Sequence, residues 1–148
     1  KKGHAFTSNK DSNILSTLDI DTIIQCDYLT VHPDENLSKL VDLISHSNQV
    51  VFAVVDNEKD LVGVVHFNDI REIIFNNYRV KYTLIKDVMK TPVATISSDD
   101  SMEIVMSKFE KSKSAFLPVL RNGKYFGFIS KSIALEAYRT KLRSMTIE

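Results

Sequence analysis

The sequence has little of several residues that mark particular protein classes. It contains one cysteine, Cys26, no tryptophan, four glycines and three prolines among 148 residues. A single cysteine cannot close an internal disulfide, which excludes a disulfide-stapled scaffold and favours a reducing compartment. No apolar run approaches the ~20 residues that cross a bilayer, and no segment looks like a secretory signal. Because the chain also begins at Lys1 rather than at a methionine, we expect a soluble piece of a longer protein.

An excess of either charge is also absent. Nineteen basic and nineteen acidic residues give a formal net charge of zero, which argues against a nucleic-acid binder that works through a large basic face. Apolar residues make up 43% of the chain and charged residues 26%, which is ordinary for a folded globular protein. A chain of this length forms one compact domain or two small ones that share a core.

The two halves of the chain repeat one pattern at an offset of about 65 residues. Near the start of each half, apolar residues recur with the i, i+3, i+4, i+7 spacing of one helical face. They are Leu37, Leu40, Val41 and Ile44 in the first half, and Met102, Val105, Met106 and Phe109 in the second. We expect Ile44 and Phe109 to occupy equivalent buried positions. Asp100 and Glu103 have the spacing of a capping box at the start of the second helix.

Two β-rich runs follow each helix: VVFAVVD and LVGVVHF in the first half, AFLPVL and KYFGFIS in the second. Asn122-Gly123 joins the second pair, and Asn-Gly is the strongest short hairpin signal. A last helix is expected over 68–76 and over 132–142. Each half therefore reads strand–helix–strand–strand–helix, which predicts an α/β (α+β) fold of two pseudo-symmetric repeats. We place a linker or N-terminal arm at 1–19, the first repeat at 20–82, and the second repeat with a C-terminal helix at 83–148.

The glycine, two apolar residues and polar helix start in each half resemble the tandem CBS (cystathionine β-synthase-type) pair, or Bateman module. The segments behind this likeness are FAVVD at 52–56, DIREIIFN at 69–76 and LPVLRNGKYFGFISKS at 117–132. With LVDLISHSN at 40–48 and AYRTKL at 137–142, the chain more narrowly resembles the cytoplasmic C-terminal CBS pair of bacterial CLC chloride channels and transporters. The resemblance covers nearly the whole chain.

The CLC resemblance implies a function, a location and two partners. It implies a cytoplasmic regulatory and dimer-stabilising domain of an integral inner- or plasma-membrane protein, a voltage-gated chloride channel or a chloride/proton antiporter, that supports chloride ion transport. The partners would be the transmembrane part of the same chain and a second copy in a homodimer, with no nucleic acid. The candidate dimer residues, which could equally pack inside one chain, are Ile74, Phe75, Leu135 and Tyr138.

Other functions stay open beside that one. The chain could be an adenine-nucleotide-sensing CBS module of a soluble enzyme or of another transporter, or a purely structural module without a ligand. We find no catalytic constellation and expect no enzyme activity. The four histidines and Cys26 have no metal-ligand spacing, so no metal site is predicted.

The resemblance also implies a ligand, because CBS pairs often bind adenine nucleotides in clefts between the repeats. Their motif is Gly, two apolar residues, Ser or Thr, two residues and Asp. The hydroxyl and the free N–H groups of a helix start hold phosphate, and the carboxylate accepts from the ribose hydroxyls. The first half has Asp69 but His66 in place of the hydroxyl. The second has Ser130 but Ile133 in place of the acid. Since neither motif is complete, we expect AMP, ADP and ATP to bind weakly or not at all.

Each candidate ligand residue also has a structural interpretation. Asp69 is either a ribose contact or an acid that stabilises its own helix. Ser130, beside Lys131, either holds phosphate or simply caps a helix.

Three further candidates belong to the first half. His66 is either a pH-sensitive contact or an ordinary residue at the end of a strand. Tyr28 and Thr30 border the first cleft and could touch a base, and Tyr28 could equally pack on the first strand.

Overall fold

The computed structural model describes residues 20–147, and of 145–147 only the backbone. The proposed N-terminal arm at 1–19 lies outside the described residues. The α/β class is confirmed, with two small sheets and short helices. The helices are α1 Leu37–Ser45, α2 Phe67–Ile70, α3 Asn77–Tyr82, α4 Ile85–Val88, α5 Met102–Ser112 and α6 Lys131–Ile147. The strands are β1 Val51–Val55, β2 Leu61–His66, β3 Ile96–Ser97, β4 Phe116–Arg121 and β5 Lys124–Ser130. Short 3₁₀ turns occupy Ile20–Thr22 and Ile73–Phe75.

The described chain forms two compact units. The first unit contains residues 26–92 and 122–126, and the second contains 20–25, 93–121 and 127–147. In the first unit β1 and β2 pair antiparallel, with Val51 opposite His66, and Val31 adds a parallel bridge to Val54. The other sheet has the order β3-β4-β5, and β3 runs parallel to β4. Each half therefore has a minimal first strand that lies parallel to the strand after the helix.

The core of the first unit is built on β1, which is buried along its whole length. The side chains of its central cluster are Val31, Leu37, Leu40, Phe52, Val54, Val65, Ile70 and Ile85. Ile44 only packs against the edge of this cluster and stays partly buried, so the expectation of a buried Ile44 is wrong. Ile44 lies in the last turn of a nine-residue helix, whereas Leu37 and Leu40 in the first turns reach the centre.

In the second unit the predicted helical face is confirmed. Met102, Val105 and Phe109 of α5 are at most 1% exposed. The predicted capping box is wrong, because the hydroxyl of Ser101 caps α5 by accepting from the Ile104 N–H at 3.3 Å. The carboxylate of Asp100 instead accepts from the Ser97 N–H and from the Lys108 ammonium, each at 2.9 Å.

The Asn-Gly hairpin is confirmed between β4 and β5. Asn122 and Gly123 have φ values of 54° and 80°, as two-residue turns that match the strand twist require. The single helix expected over 68–76 is wrong, because the chain breaks into α2, a 3₁₀ turn and α3. Asn76 is the cause: its backbone is extended, and its side chain accepts from the Arg79 N–H to cap α3.

The glycine of each repeat lets another segment of the chain come close, through a side chain at Gly63 and through the backbone at Gly127. A Cβ on Gly63 would lie 2.7 Å from the sulfur of Met89, and the next residue along, Val64, exchanges both backbone hydrogen bonds with Lys90. In the second unit, a Cβ on Gly127 would lie 2.5 Å from the carbonyl oxygen of Gln25. Each glycine therefore leaves room for a neighbouring segment of the chain. That segment forms a β-bridge to β2 in the first unit and to β5 in the second.

Replacing Phe109 by alanine tests the second core. We expect Phe109→Ala to lower the free energy of unfolding by about 3–5 kcal/mol, since it removes a fully buried ring and leaves a cavity. The matched control is Ile104→Ala, because Ile104 lies on the same helix and is 45% exposed. It should change the stability by well under half as much. Urea denaturation of both variants measures the difference, and equal losses would contradict the assignment of this helical face.

Replacing each repeat glycine by alanine tests the close approaches. Gly127→Ala should destabilise by about 1–3 kcal/mol, because the new methyl group meets a backbone carbonyl that is held in a bridge. Gly63→Ala should cost less, because it meets the flexible thioether of Met89, which can turn aside. Thermal unfolding of the two variants gives the order, and a larger loss for Gly63→Ala would show that the Met89 side chain cannot move.

Candidate functional site

The first-repeat motif brings an acidic and a basic side chain together at the start of α2. Asp69 lies in the first turn of α2, and its side chain is 35% exposed. Its Oδ2 is 3.3 Å from the Nζ of Lys90. Lys90 is held there by its backbone, which donates to the Val64 carbonyl at 2.9 Å and accepts from the Val64 N–H at 2.8 Å. The carboxylate and the ammonium therefore form one small, partly exposed site in the first unit.

His66 belongs to the same junction but does not cap the helix. It occupies the N-cap position of α2 and makes no side-chain capping bond. Its backbone pairs with Val51 at the end of the sheet. The N–H groups of the first turn of α2 are therefore not satisfied by the imidazole, as they would be by the serine or threonine of the usual motif.

At the second-repeat motif the hydroxyl is already used. The Ser130 side chain is buried, and its Oγ accepts from the Ile133 N–H at 3.3 Å and shares a hydrogen bond with the Ser132 hydroxyl at 2.9 Å. The N-cap interpretation of Ser130 is therefore confirmed. Lys131 begins α6, and its N–H donates to the carbonyl of Ala115. A cavity of about 320 Å³ is lined here by Ala115, Phe116, Ser130, Lys131, Ser132 and Leu135.

The two motifs differ at two matched positions. Gln25 bridges Phe128 as Lys90 bridges Val64, and in both cases the bridged residue directly follows the repeat glycine. The first repeat thus has Lys90 with Asp69, where the second has Gln25 with Ile133. Both members of the ion pair are replaced together in the second repeat. Sequence analysis missed Lys90, because only the bridge to β2 reveals its position, although an offset of 65 residues between Gln25 and Lys90 was a usable signal.

The structure places Tyr28 and Thr30 away from the motif residues. Both line a cavity of about 570 Å³ in the first unit, and neither His66 nor Asp69 belongs to its wall. The complete lining is Cys26, Tyr28, Thr30, Val31, His32, Glu35, Lys39, Val55, Asp56, Asn57, Lys59 and Tyr125. The six candidate ligand residues are therefore distributed over three places, and only Asp69 with His66, Tyr28 with Thr30, and Ser130 with Lys131 are neighbours.

The four candidate dimer residues differ in exposure. Phe75 is 81% exposed, whereas Ile74 packs against the core of the first unit. Leu135 and Tyr138 are partly buried. Beside Phe75, the rings of Tyr78 and Tyr82 are 72% and 62% exposed and lie 4.7 Å apart. These three exposed aromatic residues lie within one short segment of the chain, and we call them the Phe75 surface: Phe75, Tyr78 and Tyr82.

Two kinds of feature are missing from the part of the chain that the structure describes. Within residues 20–147, no group of three or more His, Cys, Asp or Glu side chains is placed to hold a metal ion. Over the same residues, none of the helices has both the length and the apolar character needed to cross a bilayer.

Comparison with known proteins gives the family. A family model described as CBS domain matches residues 20–76 and 85–140. A homoserine O-acetyltransferase from Methanococcus vannielii is 28% identical over 80% of this chain, and the match spans 24% of that relative. The chain therefore corresponds to about a quarter of the length of this curated relative.

Two solved structures have the same fold. CbpB in complex with c-di-AMP superposes with a TM-score of 0.72 at 18% identity, over 95% of this chain and 97% of that one. The CBS domain of the bacterial CNNM/CorC family Mg²⁺ transporter in complex with ATP gives a TM-score of 0.75 at 13% identity, over 88% of this chain and 94% of that one. With both repeats matched by the family model, this chain belongs to the CBS domain family and contains a tandem pair of CBS domains.

Proposed function

We propose that this CBS pair is a regulatory module of a larger protein and that it binds an adenine nucleotide at the first-repeat motif. The observation that carries the proposal is the pair formed by Asp69 and Lys90, 3.3 Å apart at the start of α2. A carboxylate can accept from both hydroxyls of a ribose, and a neighbouring ammonium can accompany the phosphate. CbpB with c-di-AMP and the CNNM/CorC CBS domain with ATP support an adenine nucleotide as the ligand class.

The ion pair between Asp69 and Lys90 lowers the affinity of this site for a nucleotide only slightly. The Lys90 side chain is 65% exposed and the Asp69 side chain 35% exposed. Ion pairs this accessible contribute about 0–1 kcal/mol, because water screens them. A ribose whose hydroxyls donate hydrogen bonds to the Asp69 carboxylate can therefore displace Lys90 at little cost.

The second repeat is the weaker candidate for the nucleotide. Ile133 offers no acceptor to a ribose, and it would set an apolar side chain against hydroxyls that otherwise keep their water. The Ser130 hydroxyl is bonded within α6, so a phosphate would have to displace that cap. We therefore assign one nucleotide to each chain, at Asp69, with modest affinity.

Regulation, rather than catalysis, is the work that we propose for the module. A ligand that binds one packing of a protein better than another shifts the equilibrium between them by its difference in affinity. Asp69 belongs to the first stretch matched by the family model, 20–76, and Lys90 lies near the start of the second, 85–140, so their ion pair connects the two repeats. Displacing Lys90 from Asp69 would change how that connection is held, which is a direct route from ligand to conformation.

There are three candidates for the larger protein that the module regulates. The CLC-like segments support a chloride channel or antiporter, with this chain as its cytoplasmic part. The CNNM/CorC neighbour supports another transporter, and the homoserine O-acetyltransferase relative supports an enzyme. The residues upstream of Lys1 in the full gene product decide: repeated apolar segments of about 20 residues support a transporter, and a folded enzyme domain excludes the channel.

Removing the Asp69 carboxylate tests the nucleotide site. Asp69→Asn should weaken AMP, ADP or ATP binding about ten- to a hundredfold, since hydrogen bonds to a charged group contribute about 1.5–3 kcal/mol. The matched control is Glu72→Gln, because Glu72 is an exposed acid one turn further along with no side-chain capping bond. The Glu72→Gln variant should bind each nucleotide with the same affinity as the parent chain. Calorimetric titration measures all three proteins, and tight binding that survives Asp69→Asn would place the nucleotide elsewhere.

Homodimerisation through the Phe75 surface is the second test. Large exposed aromatic side chains that lie together mark interaction sites, and the CLC resemblance makes a second copy the partner. We expect the chain to dimerise at tens of micromolar and Phe75→Ser to weaken the dimer at least about thirtyfold, as the loss of a central aromatic contact does.

The matched control is Val93→Ser, because Val93 is 69% exposed and lies outside the Phe75 surface. Sedimentation velocity should show a parent-like dimer for this variant. A parent chain that stays monomeric over the same concentrations would refute pairing through this surface.

A further inference from the structure

The cavity lined by Tyr28 and Thr30 is a second, separate pocket of the first unit. Its volume of about 570 Å³ lies within the range of small-molecule sites. Four parts of the unit form its wall: the segment 26–32, the start of α1, the tip of the hairpin between β1 and β2, and Tyr125 of β5. Because none of the motif residues 63–69 lines it, a ligand here would not compete for Asp69.

The hairpin tip is held in place, so the cavity exists before any ligand arrives. The Oδ1 of Asp56 accepts from the N–H groups of Glu58 and Asp60, at 3.0 and 2.9 Å. The N–H of Tyr125 donates to the carbonyl of Lys59 at 3.1 Å, and the Lys124 ammonium contacts Asp60 at 2.8 Å. A pocket with a fixed wall loses little conformational entropy on binding.

The two acids in the wall are already hydrogen-bonded to the backbone. Glu35 accepts from the His32 N–H at 2.8 Å, and Asp56 accepts the two N–H groups of its own turn. Bonds of this kind stabilise a carboxylate charge within the protein. One oxygen of each of these carboxylates therefore already accepts from the backbone.

The two lysines of the wall differ from its two acids in having no partner of opposite charge among the described residues. Lys39 and Lys59 are exposed, and within residues 20–147 neither ammonium has a carboxylate at ion-pair distance. The lysines that do contact acids, such as Lys90 and Lys124, do not line the cavity. Within the described residues, the two ammonium groups at this cavity therefore have no carboxylate partner.

The neutral polar groups of the wall are also donors. His32 accepts from the Asp34 N–H through Nδ1, which puts the proton of the neutral ring on Nε2. Burial raises the pKa of the Tyr125 phenol far above its usual value, and Cys26 and Tyr28 add to the rise. Burial, with the nearby charge of Asp27, raises the pKa of Tyr28 as well. Both phenols therefore keep their protons at every physiological pH.

We propose that this cavity is a binding site for a small organic anion, a phosphate or carboxylate attached to a planar ring, with the anionic group at Lys39 and Lys59. The two ammonium groups of Lys39 and Lys59 favour a ligand that carries an anionic group. The rings of Tyr28 and Tyr125 provide the apolar surface that a planar group requires. The site is independent of the nucleotide proposed at Asp69.

Phenyl phosphate is the probe, because it combines a planar ring with a dianion. In a titration followed by amide chemical shifts, we expect saturable changes at residues 28–32 and 56–60. Benzoate should shift the same amides, which would extend the site to carboxylates. Inorganic phosphate should bind at least about fivefold more weakly than phenyl phosphate, since it lacks the ring.

The double variant Lys39→Gln/Lys59→Gln should weaken phenyl phosphate binding at least tenfold. Both side chains are exposed, so the fold should survive, and thermal unfolding checks this. The matched control is Lys81→Gln, an exposed lysine of the same unit that lies against Tyr82, and its affinity should equal that of the parent. Absence of shifts at 10 mM probe, undiminished binding by the double variant, or shifts centred on Asp69 and Lys90 would each overturn the proposal.

Discussion

The missing Cβ of Gly63 and of Gly127 is the constraint on which the candidate site depends. At Gly127 the backbone of Gln25, and at Gly63 the side chain of Met89, lies closer than a methyl group would allow, and in both cases the neighbouring segment bridges the very next residue of the strand. The bridge is what carries Lys90 to the start of α2, since both of its backbone hydrogen bonds go to Val64. Without that approach, Asp69 would be an ordinary acid in the first turn of a short helix.

The two repeats use this shared geometry for different chemistry. In the first, the admitted segment delivers a lysine to an acid, and the result is a charged, partly exposed pair. In the second, the matched positions are Gln25 and Ile133, and the serine that remains caps its own helix. The repeat is therefore symmetric in its backbone and asymmetric in its ligand chemistry. A module of this kind would respond to one ligand per chain at the motif, which is simpler to couple to a partner domain than two equivalent sites.

The proposed anion site in the large cavity would add a second input to the same unit. It involves the hairpin tip and α1, whereas the Asp69 site involves the other end of β2 and α2. Two ligands of different chemistry could thus act on one unit without contact between them. The strand β2 runs from the hairpin tip, which lines the cavity, to α2, so ligand-dependent packing at one end would have a structural path to the other.

The sequence by itself determined the repeat, the order of the strands and the hairpin, because these follow from local periodicity and turn chemistry. The apolar spacing of α5 and the Asn122-Gly123 turn were sufficient for that. The sequence did not determine which residue caps α5, because Asp100 and Ser101 both suit the role. Only the fold gives Asp100 another partner, Lys108. Nor could the sequence place Ile44, whose burial depends on where the core ends.

The functional geometry was decided by tertiary structure alone. Asp69 and Lys90 are twenty-one positions apart in the chain, and they meet through a bridge that no local pattern encodes. Tyr125 joins a wall otherwise built from residues 26–59, because the second hairpin returns its tip to Lys59. Periodicity reports which face of an element is buried. Which charged groups become neighbours depends on long-range backbone pairing, and that is why the motif acid was found in the sequence and its lysine was not.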